Sequence, residues 1–348
     1  MISFWIKKVP FFIAVLLGLI GMIFYLFQAL PGPEQILSGQ RTDKATTDAI
    51  VRDLGLDQPV YSQAISYLND VSPISVYSQD NTPNGIKGIE MKLTNHSVWI
   101  KWPYLRRSFQ TKRLVSEMLS EAFIGTMILA FAAILIAVVI GIPLGVFAAR
   151  KEGSFVDKSI VAFSTLGISV PSFFSAMLLS WLFGFVWNQY TGLPMTGSWR
   201  ELSADGSRFI WKPENLILPA FALGFRPVAV FIQLARNNMA DTLKLDFIQT
   251  AKAKGLSTKK VLWKHAFPNA LNPLVTSIGG WFSSLLAGSF FTEYIFQWKG
   301  LGKVTIEALQ QSDFPVVMGG VLFTACLFFV INTLTEVLYV WIDPRLRS

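Results

Sequence analysis

Six apolar stretches set the limits on what this chain can become: Phe11–Leu30, Ala122–Ala149, Ser159–Trp187, Leu216–Ala235, Ala270–Phe291 and Pro315–Trp341. A helix needs about 20 mostly apolar residues to cross the hydrocarbon core of a bilayer, and each stretch reaches that length. Between them they carry only two charged residues, Arg226 and Glu336. They are apolar all round rather than striped, which suits lipid on one side and packed helices on the other. Composition agrees: 15% of the 348 residues are charged and 52% hydrophobic, where a soluble chain carries about 25% charged. A water-soluble two-domain enzyme is disfavoured, and disorder and collagen-like repeats are excluded. The expected fold class is all-α integral membrane, with six transmembrane helices made of one N-terminal span and a five-helix core.

Lys7 and Lys8 ahead of the first stretch imitate a secretory signal. Its apolar run exceeds the roughly 7–15 residues of a signal, and no A-x-A site follows, so it is read as a retained span. Orientation follows from the short loops, because Lys and Arg beside spans stay cytoplasmic. The 236–269 loop carries Arg236, Lys244, Lys252, Lys254, Lys259, Lys260 and Lys264, and the 150–158 turn carries Arg150, Lys151 and Lys158. The short loop 292–314 has only Lys299 and Lys303. Both termini are expected inside. The organisation read from this is an N-terminal helix at 1–30, an outer segment at 31–118, and a membrane core at 119–343 with the cytoplasmic loop 236–269. In the outer segment, Asp48–Leu68 is read as helix with Pro59 starting a second turn. Ser72–Lys101 shows no clear periodicity, and Leu105–Met118, with four basic residues, is read as lying along the membrane surface.

The net charge of +8 therefore has an inward-facing location rather than a nucleic-acid footprint. One cysteine, Cys326, forms no internal disulfide and gives no metal spacing; no metal site is expected. Asn95-His96-Ser97 fits a glycosylation sequon but is read as chance. Gly141 and Gly145 give a G-x-x-x-G on the second span, a spacing that lets helix backbones approach closely. Pro171 and Pro219 are expected to kink their spans. Trp5, Trp187, Trp199, Trp211, Trp298 and Trp341 are read as an interfacial belt. Arg226 has two readings. It faces a wet pathway and meets the cargo, or it is satisfied by carbonyls freed at Pro227, by Glu121 or Glu336, or by water.

The segment Asp246–Pro273 reads DFIQTAKAKGLSTKKVLWKHAFPNALNP. Phe247, Ile248 and Ala251 can share a helical face. Gly255 breaks the helix, as a left-handed C-terminal cap does. Ser257 is a plausible N-cap for a second helix, Thr258–Phe267, closed by Pro268. On charge alone this could be a loop that merely fixes topology.

Its residues resemble the coupling motif of ABC importer permeases of the oligopeptide/dipeptide branch: Thr250-Ala251-Lys252-Ala253-Lys254-Gly255-Leu256-Ser257, then Val261, Leu262, Lys264, His265, Asn269, Ala270 and Pro273. The resemblance extends to Pro31-Gly32-Pro33, Leu54-Gly55-Leu56-Asp57-Gln58-Pro59, Glu293-Tyr294-Ile295-Phe296 with Gly300-Leu301-Gly302, Asp313-Phe314-Pro315 and Asp343-Pro344-Arg345. Lys299 stands where that family usually has Pro, Gln233 and Gln249 where Arg is common, and Glu336 for a usual Asp.

The resemblance implies a type I ABC importer-like fold and a bacterial inner-membrane permease subunit for peptides, or for a nickel chelate or other small solute. It implies a loop, with Thr250, Ala251, Ala253, Gly255, Leu256, His265 and Asn269, that docks on a separate ATPase. The partners it implies are a second homologous permease subunit, two ABC ATPase subunits and an extracytoplasmic binding protein that docks on the outer segment and the 292–314 loop. ATP and Mg would be used by those ATPases and no cofactor bound by this chain. The chain has no G-x-x-x-x-G-K-[ST] phosphate cradle: beside Gly302-Lys303, Gln297 takes the first glycine's place and Val304 the hydroxyl's. An embedded enzyme is disfavoured, because His96 and His265 lie in loops on opposite sides. An ion-driven carrier would favour repeated halves and several carboxylates within its spans.

Overall fold

A computed structural model describes residues 2–28, 58–78, 83, 86–93, 96–203 and 205–342. The stretches Pro31–Pro33, Leu54–Asp57 and Asp343–Arg345, the residue Asn95, and the first part of the Asp48–Leu68 helix lie outside the described residues. The chain divides into two compact units, one of residues 1–123 and 304–326, the other of 124–303 and 327–348.

The first unit holds helix α1 (Ile2–Gln28), helix α2 (Val60–Val71) and a small antiparallel sheet of β1 (Ile74–Ser78), β2 (Gly88–Lys92) and β3 (His96–Lys101), in the order β1-β3-β2. Tyr67 fills its core with Ile20, Phe24, Phe314 and Met318. Beside it the carboxylate of Asp70 accepts from the Tyr77 hydroxyl at 2.9 Å and from Arg106 Nε at 2.7 Å, while Lys101 Nζ donates to the Asp70 carbonyl. Burial pushes the Tyr77 hydroxyl up, and the Asp70 charge adds to the shift. The sheet turns its apolar rows to the more exposed side, Ile74, Ile100 and Ile89 in one and Val76, Val98 and Met91 in the next, while Ser75, Tyr77, Ser97 and Lys101 are buried. Most of Leu105–Met118 is not helical. Residues 103–114 are irregular, with a bridge between Arg107 and Leu114, and helix begins at Val115. Asp313 accepts from Ser108 Oγ at 2.5 Å and Phe109 N at 3.0 Å, which explains the aspartate of the Asp313-Phe314-Pro315 stretch.

In the second unit helix α3 (Val115–Arg150) continues from the first. Helices α4 (Phe155–Ser169) and α5 (Ser172–Val186) meet at a bend of 104°. The hairpin β4 (Arg200–Leu202) and β5 (Phe209–Trp211) precedes the long helix α6 (Glu214–Leu243). Helix α6 is the centre of this unit, packed by α3, α4 and α5. The two glycines of the G-x-x-x-G serve this packing inside the chain. A Cβ at Gly141 would lie 2.8 Å from the Val228 carbonyl oxygen, and one at Gly145 2.4 Å from that of Ile232.

After α6 come helix α7 (Asp246–Ala253), a turn of helix at Thr258–Lys260, a wide π turn at Val261–Ala266, and helix α8 (Phe267–Gly288). The second loop helix therefore does not close at Pro268; it runs unbroken into the fifth apolar stretch. Phe267 N donates to the Leu262 carbonyl, five residues back. The widened turn moves aside the carbonyls with which the Pro268 ring would clash. Pro143 is preceded by the same device, a π turn at Ala137–Gly141. Helix α9 (Phe290–Ile295) and helix α10 (Leu301–Gln310) lead to α11 (Phe314–Ile342).

Among the described residues three helices are long and apolar enough to span a membrane, α3, α6 and α11, and the bent pair α4–α5 makes a fourth. The sequence expectation was six. The apolar part of α1 covers Pro10–Leu26, and α8 is punctuated by Asn269, Thr276, Ser277, Ser283 and Ser284. Pro171 does bend its stretch, whereas Pro219 lies inside continuous helix.

Candidate functional site

The 236–269 loop is built as an anchored inner face and an open outer face. Ile248 and Ala251 of α7 are buried with Val261, Leu262 and Ala266, joining the core around α6. Phe247 does not share that face: it is 44% exposed, beside Leu245 at 49% and Trp263 at 48%. Thr250, Lys252, Ala253 and Lys254 are exposed as well. Three large exposed apolar side chains on a short segment rich in lysines suit a docking surface better than a solvated turn.

Gly255 ends α7 with φ +76. Its N–H donates to the Lys252 carbonyl at 2.9 Å, and Leu256 N donates to the Ala251 carbonyl at 3.4 Å. That pair of bonds is the Schellman arrangement, which satisfies two carbonyls a helix end leaves open. Nothing lies within 4 Å of a Cβ placed on Gly255, so the glycine is required by backbone conformation and not by space. Ser257 stands at the next N-cap in extended geometry, yet its hydroxyl makes no capping bond. Asn269 Nδ2 donates to the His265 carbonyl at 2.8 Å. The His265 imidazole itself makes no hydrogen bond among the described residues, so the loop is organised there by backbone and amide.

Sequence reasoning missed the clamp at the loop's base. Arg236 donates to Asp157 through Nε at 3.1 Å and Nη2 at 2.9 Å, and Gly153 N adds a third bond at 2.9 Å. Glu152 accepts from Lys244 at 3.1 Å. The turn before α4 is thereby fastened to the end of α6. Hydrogen bonding from Arg236 holds the Asp157 carboxyl below the usual carboxylate range, against its burial. The only signal in sequence was opposite charges on two separate inner loops, which does not define a pair.

In the 292–314 loop Glu293 is fully buried. Its carboxylate accepts from Thr126 Oγ1 at 2.8 Å, Ser289 Oγ at 2.7 Å and Gly302 N at 2.7 Å. Thr126 Oγ1 also accepts from Leu301 N at 2.9 Å, so its hydroxyl hydrogen is committed to Glu293. Burial pushes the carboxyl up, and these donors oppose the shift. Gly300 has no room for a Cβ, which would lie 2.4 Å from the Glu293 carboxylate. The spacing from Glu293 to Gly300-Leu301-Gly302 is thus a carboxylate capping the start of α10. Trp298 is completely buried, its Nε1 donating to the Gly125 carbonyl at 2.9 Å, and so is no part of an interfacial belt.

Arg226 lies twelve residues into α6, about 18 Å from the helix start, and is exposed. Among the described residues its guanidinium has no hydrogen-bond or ion-pair partner. Glu121 is taken by Arg113 at 2.7 Å, and Glu336 accepts from Asn332 at 3.2 Å. A cation at the bilayer centre costs about 2.5 kcal/mol or more unless it meets water or a partner, so neither carboxylate named as a partner from sequence relieves it. The described residues hold no cluster of three or more metal-ligating side chains.

A core of long apolar helices, an anchored 236–269 loop and a carboxylate-capped 292–314 loop are the features of a multi-pass membrane protein. The chain belongs to the family of binding-protein-dependent transport system inner membrane components, matching its main model over residues 141–348 and its N-terminal model over 1–130. It is 34% identical to the dipeptide transport system permease protein DppB of Escherichia coli K12, over 100% of this chain and 99% of that one. It is 30% identical to the oligopeptide transport system permease protein AppB of Bacillus subtilis 168, over all of both chains. In fold it is similar to a chain of the MetNI methionine ABC transporter, solved in inward-facing conformations, with a TM-score of 0.51, 16% identity, and coverage of 65% of this chain and 97% of that one.

Proposed function

We propose that this chain is the permease subunit of an ATP-driven peptide importer, forming half of the translocation route and taking its energy from a separate ATPase through the 246–269 loop. The observation that carries the coupling role is the shape of that loop. Its inner face is held in the core by Ile248, Ala251, Val261 and Leu262, while Leu245, Phe247 and Trp263 are presented outward among lysines. Exposed apolar side chains of this size on a water-facing loop favour a surface that a partner covers. The basic rim favours an acidic groove and sets encounter rate and register more than affinity.

Both termini then lie in the cytoplasm. A second permease subunit completes the route, two ATPase subunits bind ATP and Mg, and an outer binding protein delivers cargo at the outer segment and the 292–314 loop. Peptides are the cargo by likeness to relatives named for dipeptide and oligopeptide transport. The test is purification of the chain from its native membrane, followed by reconstitution with the proteins that accompany it. An ATPase subunit in the complex, and ATP-dependent uptake of a labelled dipeptide into vesicles, are the expected results. A complex without an ATPase overturns the coupling role; ATPase present but no peptide uptake overturns the cargo.

A further inference from the structure

Helices α4 and α6 run antiparallel and share a polar seam. Gln233 Nε2 donates to Ser164 Oγ at 3.1 Å and to Thr165 Oγ1 at 3.2 Å. One turn farther, a Cβ on Gly167 would meet Ala229 Cβ at 3.0 Å and the Phe225 ring at 3.6 Å. Three residues along α4 thus correspond to four back along α6. The next step brings Val170–Pro171, where the bend of 104° falls, to the level of Arg226. Two independent features meet there: a cation with no partner among the described residues, and a break in helical backbone. Non-helical backbone at membrane depth is tolerated only where protein or a water-filled cavity receives it.

Polar side chains recur beside this seam, interrupted by Val230 on α6. Arg226, Gln233 and Asn237 recur at helical spacing on α6, a track of about 16 Å toward the cytoplasmic end. Thr165 and Ser169 are exposed on α4, and Ser169 Oγ donates to the Thr165 carbonyl at 2.9 Å. Lipid on that side would leave the exposed Arg226 guanidinium, without a protein partner among the described residues, facing hydrocarbon.

We propose that the α4–α6 face bearing Thr165, Ser169, Arg226, Gln233 and Asn237 lines the aqueous route, and that Arg226 binds the carboxylate of the cargo at mid-membrane. The inference rests on the peptide-permease reading and names the group of the cargo that the chain recognises. A planar guanidinium with five donors matches a carboxylate in two-point contact, and no other cation lies on this track.

The test uses the whole transporter in vesicles. In a Cys326→Ser background, Arg226→Cys is treated with a small, charged, membrane-impermeant thiol reagent; modification that saturating dialanine slows is expected. Uptake of dialanine is then compared with uptake of its C-terminal amide and of an acidic dipeptide amide. In Arg226→Gln the preference for the free acid over the amide falls about ten-fold, as for loss of a charged hydrogen bond in a wet site, while Arg226→Lys, which keeps the charge but not the two-point fork, retains only part of it. If the acidic dipeptide amide behaves like dialanine, a side-chain carboxylate serves as well as the terminal one. No modification in any state, or an unchanged preference in Arg226→Gln at equal membrane abundance, overturns the proposal. Absence of ATP-dependent dialanine uptake by the wild type instead overturns the cargo reading, and the thiol result still decides whether the face is wet.

Discussion

Replacing Gly255 separates two reasons a glycine can be needed. With φ at +76 and nothing within 4 Å of its Cβ position, the residue is constrained by backbone alone. An L-residue in the left-handed region costs about 1–2 kcal/mol, with asparagine at the low end and β-branched residues worst. If the Schellman-ended bend is the form that meets the ATPase, that cost reduces its population about 5- to 30-fold. ATPase stimulation by loaded binding protein, measured in the reconstituted complex as ATPase concentration is raised, gives the apparent affinity. The expected order is glycine, asparagine, alanine, valine, with the last two shifted 5-fold or more and the spans inserted normally. An order that follows side-chain size, with asparagine as poor as valine, refutes the backbone argument. Equal behaviour of all four refutes the coupling role of the bend.

Gly145→Ala places a methyl 2.4 Å from the Ile232 carbonyl, where backbone cannot yield cheaply. It should lower stability by about 1–3 kcal/mol, read as a fall in the thermal midpoint of the purified complex, whereas Gly18→Ala, with open space around it, should not. Glu293→Gln turns an acceptor of several donors into a group with its own N–H bonds facing them. A loss of about 2–3 kcal/mol and proteolytic access to the 292–314 loop are expected, with unchanged protection counting against the cap. Asp157→Asn should cost about 2 kcal/mol at neutral pH, between the values for surface and buried pairs. Because the folded carboxyl is held low, its contribution is full above about pH 4 and disappears as pH falls through the folded value. The midpoint difference between wild type and variant should therefore close in acid, and a constant difference would assign the effect to packing.

What could be read from sequence divides by the range of the interaction. The long apolar helices were legible because burial in lipid demands a continuous run. Gly255 was legible because a left-handed cap leaves a local mark. The Asp157–Arg236 clamp was not, since its two halves are 79 residues apart and each alone looks like a topology charge. Phe247 was assigned to the wrong face because three apolar neighbours on a short helix do not say which of them faces inward. Pro268 was read as a helix end by a rule that holds for α geometry and lapses when the preceding turn widens. The small sheet is not legible because its alternation is inverted: Ile74, Val76, Ile89 and Met91 are exposed while Ser75, Ser97 and Lys101 are buried. Gly300 and Gly302 were matched by likeness; only the Glu293 carboxylate lying against them gives the reason.

The wide turn at Val261–Ala266 fixes an angular phase. A π turn accommodates one residue more than α geometry would, and a residue is worth about 100° of rotation around the axis. The side of α8 that faces α6 is therefore set, relative to the surface offered by Trp263, by a single inserted position. Removing one residue from that turn would let plain α-helix form and would swing the docking surface by about a quarter turn while leaving the sequence of both partners intact. Loop and membrane helix behave as one crank, and its setting is stored in the count of residues between them.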